Sequence, residues 1–424
     1  MIVPSIDLMG GDAVQLVGGK ELKINAGDPR PIARRFGLAG ELAVIDLDAA
    51  MGQGDNRAVI EDLLRLVPCR VGGGIRSAER ALEWLDLGAS KVILGTAATP
   101  EILSKLPPER TIAALDAVHG EVVVEGWKTR TGKGIVEQLH ALRDYVGGFL
   151  VTFVEREGRM QGTNMEQVAA LVEAAGHARL TIAGGVTTPA DIAELDRLGA
   201  DAQVGMALYC GHMDLADAIA APLVTDRPDG LYPTVICDEH GVALGLAYSS
   251  AASLRRAVAL MQGVYWSRSR QEIWHKGATS GATQELLRIA LDCDRDALRF
   301  TVRQQAPGFC HEDTWTCWGE AGGLPALDRT VQERLRSAPA GSYTRRLFDD
   351  PALLRSKLIE EANELLDATD ADHAAAELAD VIYFALVAAA ARGADLTRVA
   401  AELDRRARRV TRRAGDAKPP KEQP

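Results

Sequence analysis

The sequence lacks an excess of positive charge, a long hydrophobic run and a set of paired cysteines, and each shortage excludes something. With 59 acidic against 48 basic residues, the 424-residue chain carries a formal net charge of −11. That argues against a general nucleic-acid or anionic-membrane surface, although local basic pockets for phosphates remain open. The longest apolar run, residues 381–391, is too short to span a bilayer. Nothing resembles a secretory leader, because Met1 leads straight into a strand-like Ile2-Val3-Pro4-Ser5-Ile6-Asp7. Six cysteines suit a reducing compartment and make no disulfide framework. The expectation is a soluble, cytoplasmic protein of roughly two to four domains.

What is there begins with Asp292-Cys293-Asp294-Arg295-Asp296, followed by Cys310-His311 and Cys317. Apolar and β-branched flanks read as strand, so side-chain alternation puts Asp292, Asp294 and Asp296 on one face and Cys293 on the other. Carboxylate oxygens suit Mg²⁺ and thiolates suit Zn²⁺, which gives two expected metal sites. Three soft ligands with no fourth leave a position for a water whose pKa the zinc lowers, the catalytic arrangement. A single buried cysteine beside a solvated acidic strand end would carry no such meaning.

Residues 1–222 alternate short apolar runs with amphipathic segments, the pattern of βα units around a parallel sheet. Strands are expected from Ile2, Leu42, Cys69, Lys91, Thr111, Phe149, Arg179 and Ala202, the count of an α/β (β/α)₈ TIM barrel. Val71-Gly72-Gly73-Gly74-Ile75 recurs as Ile182-Ala183-Gly184-Gly185-Val186, and Leu87-Gly88-Ala89 as Leu198-Gly199-Ala200, both 111 residues on. The barrel is therefore read as two similar halves. Each copy sets glycines at a strand's C-terminal end, where backbone N–H groups can approach a phosphate. Gly95-Thr96 and Gly205-Met206 follow in turn, so a substrate with two phosphates is expected; the plainer reading is that these glycines merely allow tight turns. Asp7 and Asp116 end the first and fifth strands, facing positions of the two halves, and are natural general acid and base. A lone aspartate there would more simply be a turn or cap residue.

Residues 4–11, 44–50, 71–76 and Gly126-Trp127 resemble the histidine-biosynthesis isomerase that works by Amadori rearrangement on ProFAR, a substrate with two phosphates. That resemblance implies catalysis by Asp7 and Asp116 with Thr152 as helper. The family usually has T-D-x-x-R-D-G-T after the sixth strand, whereas here the stretch runs Thr152-Phe153-Val154-Glu155-Arg156-Glu157-Gly158-Arg159. Phe153 replaces an acid and Arg159 a threonine.

Residues 225–230 are a Pro/Gly/Asp linker. Beyond it, residues 223–327 read as a small α+β metal-binding domain with a β-hairpin about Asp238-Glu239-His240-Gly241 and a short helix near residues 250–261. Ser267, Arg268, Ser269, Arg270 and Lys276 would suit a phosphate and a ribose, or form an ordinary solvated basic loop. Together with the acidic run and the cysteines, Trp266-Ser267-Arg268-Ser269-Arg270 resembles phosphoribosyl-AMP cyclohydrolase. The resemblance implies Zn²⁺ at Cys293, Cys310 and Cys317, Mg²⁺ at Asp292, Asp294 and Asp296, a homodimer sharing the zinc, and hydrolytic opening of the adenine ring. His311 is a candidate proton shuttle, or a packing residue.

Residues 328–424 are helical. Glu360, Glu361 and Glu364 share a face of one helix, and Glu377 and Asp380 lie three apart on the next, embedded in a stretch apolar enough to be a bundle interior. The pattern resembles the all-α, MazG-like phosphoribosyl-ATP pyrophosphohydrolases, which implies Mg²⁺ on these acids. Arg345, Arg346 and Lys357 are candidate phosphate contacts, and six arginines within 405–413 could reach a phosphate or an acidic partner helix. From residue 226 onward the chain resembles the corresponding part of fungal multifunctional histidine-biosynthesis proteins.

The expected whole is a nucleotide-binding, multifunctional enzyme of histidine biosynthesis acting on small phosphoribosyl nucleotides. Its alternative is a barrel that only binds or assembles, with two active hydrolase domains behind it.

Overall fold

The computed structural model describes residues 1–124, 126–127, 129–158, 162–163 and 165–411. Arg159, Arg412 and Arg413, singled out above, lie outside the described residues. The chain divides into two compact units. One is Met1–Ile236 with Leu246–Gln305 and Arg408–Pro424; the other is Cys237–Gly245 with Ala306–Ala407.

In the first unit eight parallel strands close into a barrel: β1 (Ile2–Met9), β2 (Leu42–Asp46), β3 (Cys69–Gly72), β4 (Lys91–Leu94), β5 (Thr111–Val118), β6 (Gly148–Phe153), β7 (Arg179–Ala183) and β8 (Asp201–Val204). β8 pairs back on β1, and β5 with β6, so the ring has no open edge. All eight expected strands are present. Helices cover the outside, so the strands are buried on both faces and read as continuous apolar runs.

Two additions escaped the sequence. β1 continues into a hairpin of Asp12–Val17 and Glu21–Gly27, and β5 into one of Glu121–Val124 and Thr129–Gly134. They sit at matching points of the two halves, so the repeat extends beyond the glycines. The glycine pairs also match in conformation: φ is +93° and +68° at Gly73 and Gly74, +80° and +89° at Gly184 and Gly185. A Cβ on Gly73 would stand 2.2 Å from the Asp46 carbonyl, and one on Gly184 2.6 Å from that of Phe153. Each pair is thus demanded by a turn pressed onto the end of the preceding strand.

A six-stranded sheet follows, in the order Glu272–His275, Val264–Ser267, Ala243–Ser249, Tyr232–Asp238, Leu298–Gln304, Gln284–Leu291. The expected hairpin is there, and helix Ala251–Leu260 starts at Ser250 with a reciprocal cap to Ser253. The acidic stretch, however, is no strand. Gln284–Leu291 and Leu298–Gln304 pair antiparallel as far as Leu291 opposite Leu298, and the residues between them turn, with Arg295 at φ +67°. Aspartates disfavour strands and bond their own main chain: Asp292 Oδ1 accepts from the N–H of Asp296 (3.0 Å) and Ala297 (3.2 Å).

The second unit holds helices Gly323–Arg336, Tyr343–Asp349, Pro351–Asp367, Ala371–Ala390 and Leu396–Ala407. Val331, Leu347, Leu354, Phe384, Val387 and Ala390 form their core. Among the described residues, Ala371–Ala390 is the one helix that by length and composition could cross a membrane, because it extends well beyond the run 381–391. Its C-terminal half supplies the core just described. Its N-terminal half was expected to be interior and is not: Leu378 is 45% exposed and Asp380 is open to water. Alanine-rich composition satisfies an apolar pattern without requiring burial, so Asp380 stays open to water while Glu377 is half-buried.

Candidate active sites

At the C-terminal rim of the barrel, Asp7 on β1 is fully enclosed, and burial pushes its carboxyl up to about 7. Gln15 on the first hairpin donates its Nε2 to Asp7 Oδ2 at 3.4 Å. Asp116 on β5 stands in register with Thr152 on β6. Burial raises Asp116 too, opposed by side-chain hydrogen bonds from Trp127 and Thr152. The expected trio therefore occupies one end of the barrel.

A fourth group joins it that the sequence had not been read to contain. Glu157, in the turn after β6, is pushed to about 7 by burial and then by the charges of Asp7 and Asp116. Its only signal in the sequence was its place, an acid two residues after Glu155 in the divergent stretch. Tyr209 adds a buried hydroxyl with no protein partner, and burial together with Asp7 raises its pKa.

The glycines do not all behave alike. Gly184, Gly185, Gly205 and Met206 line one cleft with Ser5, Glu157 and Thr187, so the glycine turns of the second half open beside a carboxyl of the rim. Gly73 and Gly74 line a separate cavity of about 270 Å³ with Asp46, Arg76, Arg80 and Trp84. Gly95 and Thr96 sit in an exposed turn after β4, where a Cβ on Gly95 would meet nothing within 4 Å.

In the next module, Asp292, Asp294 and Asp296 converge without strand alternation: one oxygen from each lies within 4.8 Å of the others. The crowding shows in Asp296, held above the usual carboxylate range by sharing a hydrogen bond with Asp292 and by the charge of Asp294. Cys293 is exposed on the same turn. Cys310 and Cys317 belong to the second unit, on a loop whose ends are tied by Phe309 N–H to Trp315 O (3.1 Å) and Cys310 N–H to Thr314 O (3.2 Å). The main-chain N–H of Glu312 and the Thr314 hydroxyl hold the Cys310 thiol below its ordinary pKa. His311 is exposed, its Nδ1 3.8 Å from Cys310 Sγ.

Trp315 in that loop is fixed from two sides. Its Nε1 donates to the buried Asp238 at 3.2 Å, and the guanidinium of Arg329, from the first helix of the helical part, lies 3.9 Å from its ring centroid. In the basic loop Arg268 stacks on Tyr248 at 3.9 Å, Arg270 pairs with Glu272 at 3.1 Å, Ser267 and Ser269 are 3.4 Å apart, and Lys276 is buried.

Among the helices, Glu361, Glu377 and Asp380 bring oxygens within 4.8 Å. Glu364 stands beside them, raised by burial and by Glu361 and Glu377. Glu360 turns to Lys357 (2.9 Å), which also holds Glu361 (2.7 Å), so this lysine is engaged by the acids of its own helix. Arg345 is engaged by Asp349 at 2.9 Å, and Arg346 is exposed.

Residues 1–214 match the family model described as histidine biosynthesis protein. The chain belongs to that family. Residues 245–319 match phosphoribosyl-AMP cyclohydrolase, and residues 324–407 match phosphoribosyl-ATP pyrophosphohydrolase. Similar proteins include the histidine biosynthesis bifunctional protein his7 of Schizosaccharomyces pombe, 50% identical over 206 residues covering 49% of each chain. The histidine biosynthesis trifunctional protein of Neurospora crassa is 39% identical over 352 residues, 81% of this chain and 38% of that one. An imidazole-4-carboxamide isomerase of Methanocaldococcus jannaschii is 37% identical over 234 residues, 52% of this chain and 98% of that one. The chain thus spans about half, or less, of the length of the fungal relatives it matches.

Proposed function

We propose that this chain performs three successive steps of histidine biosynthesis in the reverse of chain order. Residues 328–424 release pyrophosphate from phosphoribosyl-ATP, residues 223–327 open the adenine ring of phosphoribosyl-AMP, and residues 1–222 isomerise ProFAR. The observation that carries this reading is the succession of three family matches along one chain.

In the barrel, an Amadori rearrangement needs a proton delivered to the ribose ring oxygen as the ring opens and a proton removed from the neighbouring C2. Two buried carboxyls, Asp7 pushed up to about 7 by burial and Asp116 raised by burial against the hydrogen bonds it receives, can divide those tasks, one acting protonated and the other ionised. Thr152 and Trp127 hold Asp116 in place by donating to it. The glycine cradles with Met206 would take the phosphates through main-chain N–H groups.

In the cyclohydrolase part, Cys293, Cys310 and Cys317 would hold Zn²⁺, which when bound lowers the pKa of its water. We infer a homodimer with the zinc shared between subunits, which the match to the cyclohydrolase family supports. Ser267, Arg268, Ser269, Arg270 and Lys276 would receive the nucleotide, and His311 would pass a proton. Mg²⁺ fits the hard oxygens of Asp292, Asp294 and Asp296, and those of Glu361, Glu377 and Asp380 with Glu364 beside them. Arg345 and Arg346 would contact the triphosphate. The protein is read as cytoplasmic.

The test is a steady-state assay of the full chain with phosphoribosyl-ATP, Mg²⁺ and Zn²⁺, following pyrophosphate, the opened ring and the isomerised product. Loss of the third product alone would leave the barrel as a binding module and end the isomerase part of the reading.

A further inference from the structure

The acidic turn contains its own competitor. Arg295 lies inside the run Asp292–Asp296 and has the charge and reach to neutralise the carboxylates that flank it, yet its guanidinium is engaged elsewhere. Its Nε and Nη2 bond Asp196 on the barrel helix Pro189–Arg197, at 3.0 and 3.1 Å in the bidentate fork geometry. Its Nη1 donates to the main-chain carbonyl of Asp292 at 2.6 Å. The turn is also tied through Arg295's own carbonyl, which accepts from Val224 N–H at 2.8 Å. All three guanidinium nitrogens are thereby occupied, in an ion pair whose side chains are only 22% and 11% exposed.

We propose that Asp196, a barrel residue, is a positioning residue for the cation-binding turn of the adjoining domain: it draws Arg295 away from Asp292, Asp294 and Asp296 and so keeps them open to a divalent cation. The idea rests on the reading of that triad as a cation site. The sign of each substitution follows from the geometry. Removing the Asp196 charge frees a guanidinium that the nearest carboxylates then capture, so a cation must displace it. Removing Arg295 as well eliminates the competitor and leaves only a loosened turn. A residue that merely supported the fold would show the opposite, with the second truncation adding damage to the first.

Mn²⁺ binding to the full-length protein, followed by the EPR signal of the free ion, reads this directly. All proteins carry Glu361→Gln and Asp380→Asn, so that the helical acids do not contribute. Asp196→Asn should weaken Mn²⁺ binding about tenfold, as loss of an outer-shell partner does. Asp196→Asn with Arg295→Ala should recover most of that loss, at an unchanged melting temperature, and Asp196→Glu should behave as the parent. Equal binding by parent and Asp196→Asn, while Asp294→Asn abolishes it, would overturn the proposal and leave the cation site standing. So would a double variant no better than the single one. A parent whose titration is indifferent to Asp294→Asn would overturn the cation site and the proposal together.

Discussion

Asp7 carries the largest consequences of any single side chain. Its carboxyl stands at about 7 in the folded protein, against roughly 4 when unfolded. The neutral form is the one the fold favours, so the stability it contributes is complete below pH 4 and is lost as pH rises to 7, on the order of 1 kcal/mol per pH unit. Urea unfolding at pH 5 and pH 8 should show Asp7→Asn removing part of this decline, so that the variant is the more stable protein at pH 8. The same variant should lose ProFAR turnover by about 10²–10⁴-fold, the usual worth of a general acid or base; retained turnover would displace Asp7 from the reaction. Asp7→Asn also removes a charge that helps hold Glu157 at about 7, so the Glu157 carboxyl should titrate at lower pH in that variant, read by difference infrared spectroscopy; an unmoved titration would mean Asp7 is not felt at Glu157. Asp7 and Asp116 were legible because strand ends are visible in the apolar pattern, and Thr152 through the family resemblance alone. Glu157 was not, because it follows β6 in a turn, where no period applies and the family's motif is altered.

At the scale of elements, the doubled glycines were read for their phosphate-binding capacity, whereas the structure explains them first by packing. Gly73→Ala would place a methyl 2.2 Å from a main-chain oxygen at φ +93°, and should cost more than about 2 kcal/mol in denaturant unfolding. Gly95→Ala meets open space and should unfold like the parent; any effect would be confined to KM. Equal costs for the two would refute the packing account. The acidic turn shows how a local pattern misleads. Strand signals on both sides were real, as Gln284–Leu291 and Leu298–Gln304 testify, but they were extended through aspartates that favour turns. The carboxylates nevertheless converge, by main-chain hydrogen bonds to Asp292 in place of alternation. In the helices, spacing placed Glu361, Glu377 and Asp380 together correctly, while composition suggested an interior that is half open to water.

For the whole molecule, the three steps proposed here differ in the metals proposed for them and should separate on chelation. Stripping tightly held zinc, or changing Cys310 to Ser, should stop ring opening while ProFAR isomerisation continues; loss of both at once would mean the cysteine loop supports the fold and not a reaction. The order of modules was legible from end to end because each carries its own motifs. What composition cannot show is how modules lean on one another, since such contacts follow no local period. Arg329 against Trp315 is one such contact. Anyone splitting the gene for separate expression would cut at the inviting Gly322-Gly323, and would thereby strip the Trp315 indole of its cover and take from the buried Asp238 the guanidinium that stands 4.0 Å away. The seam drawn by reading frames and the seam drawn by packing are different lines, and a fragment library should be laid out on the second.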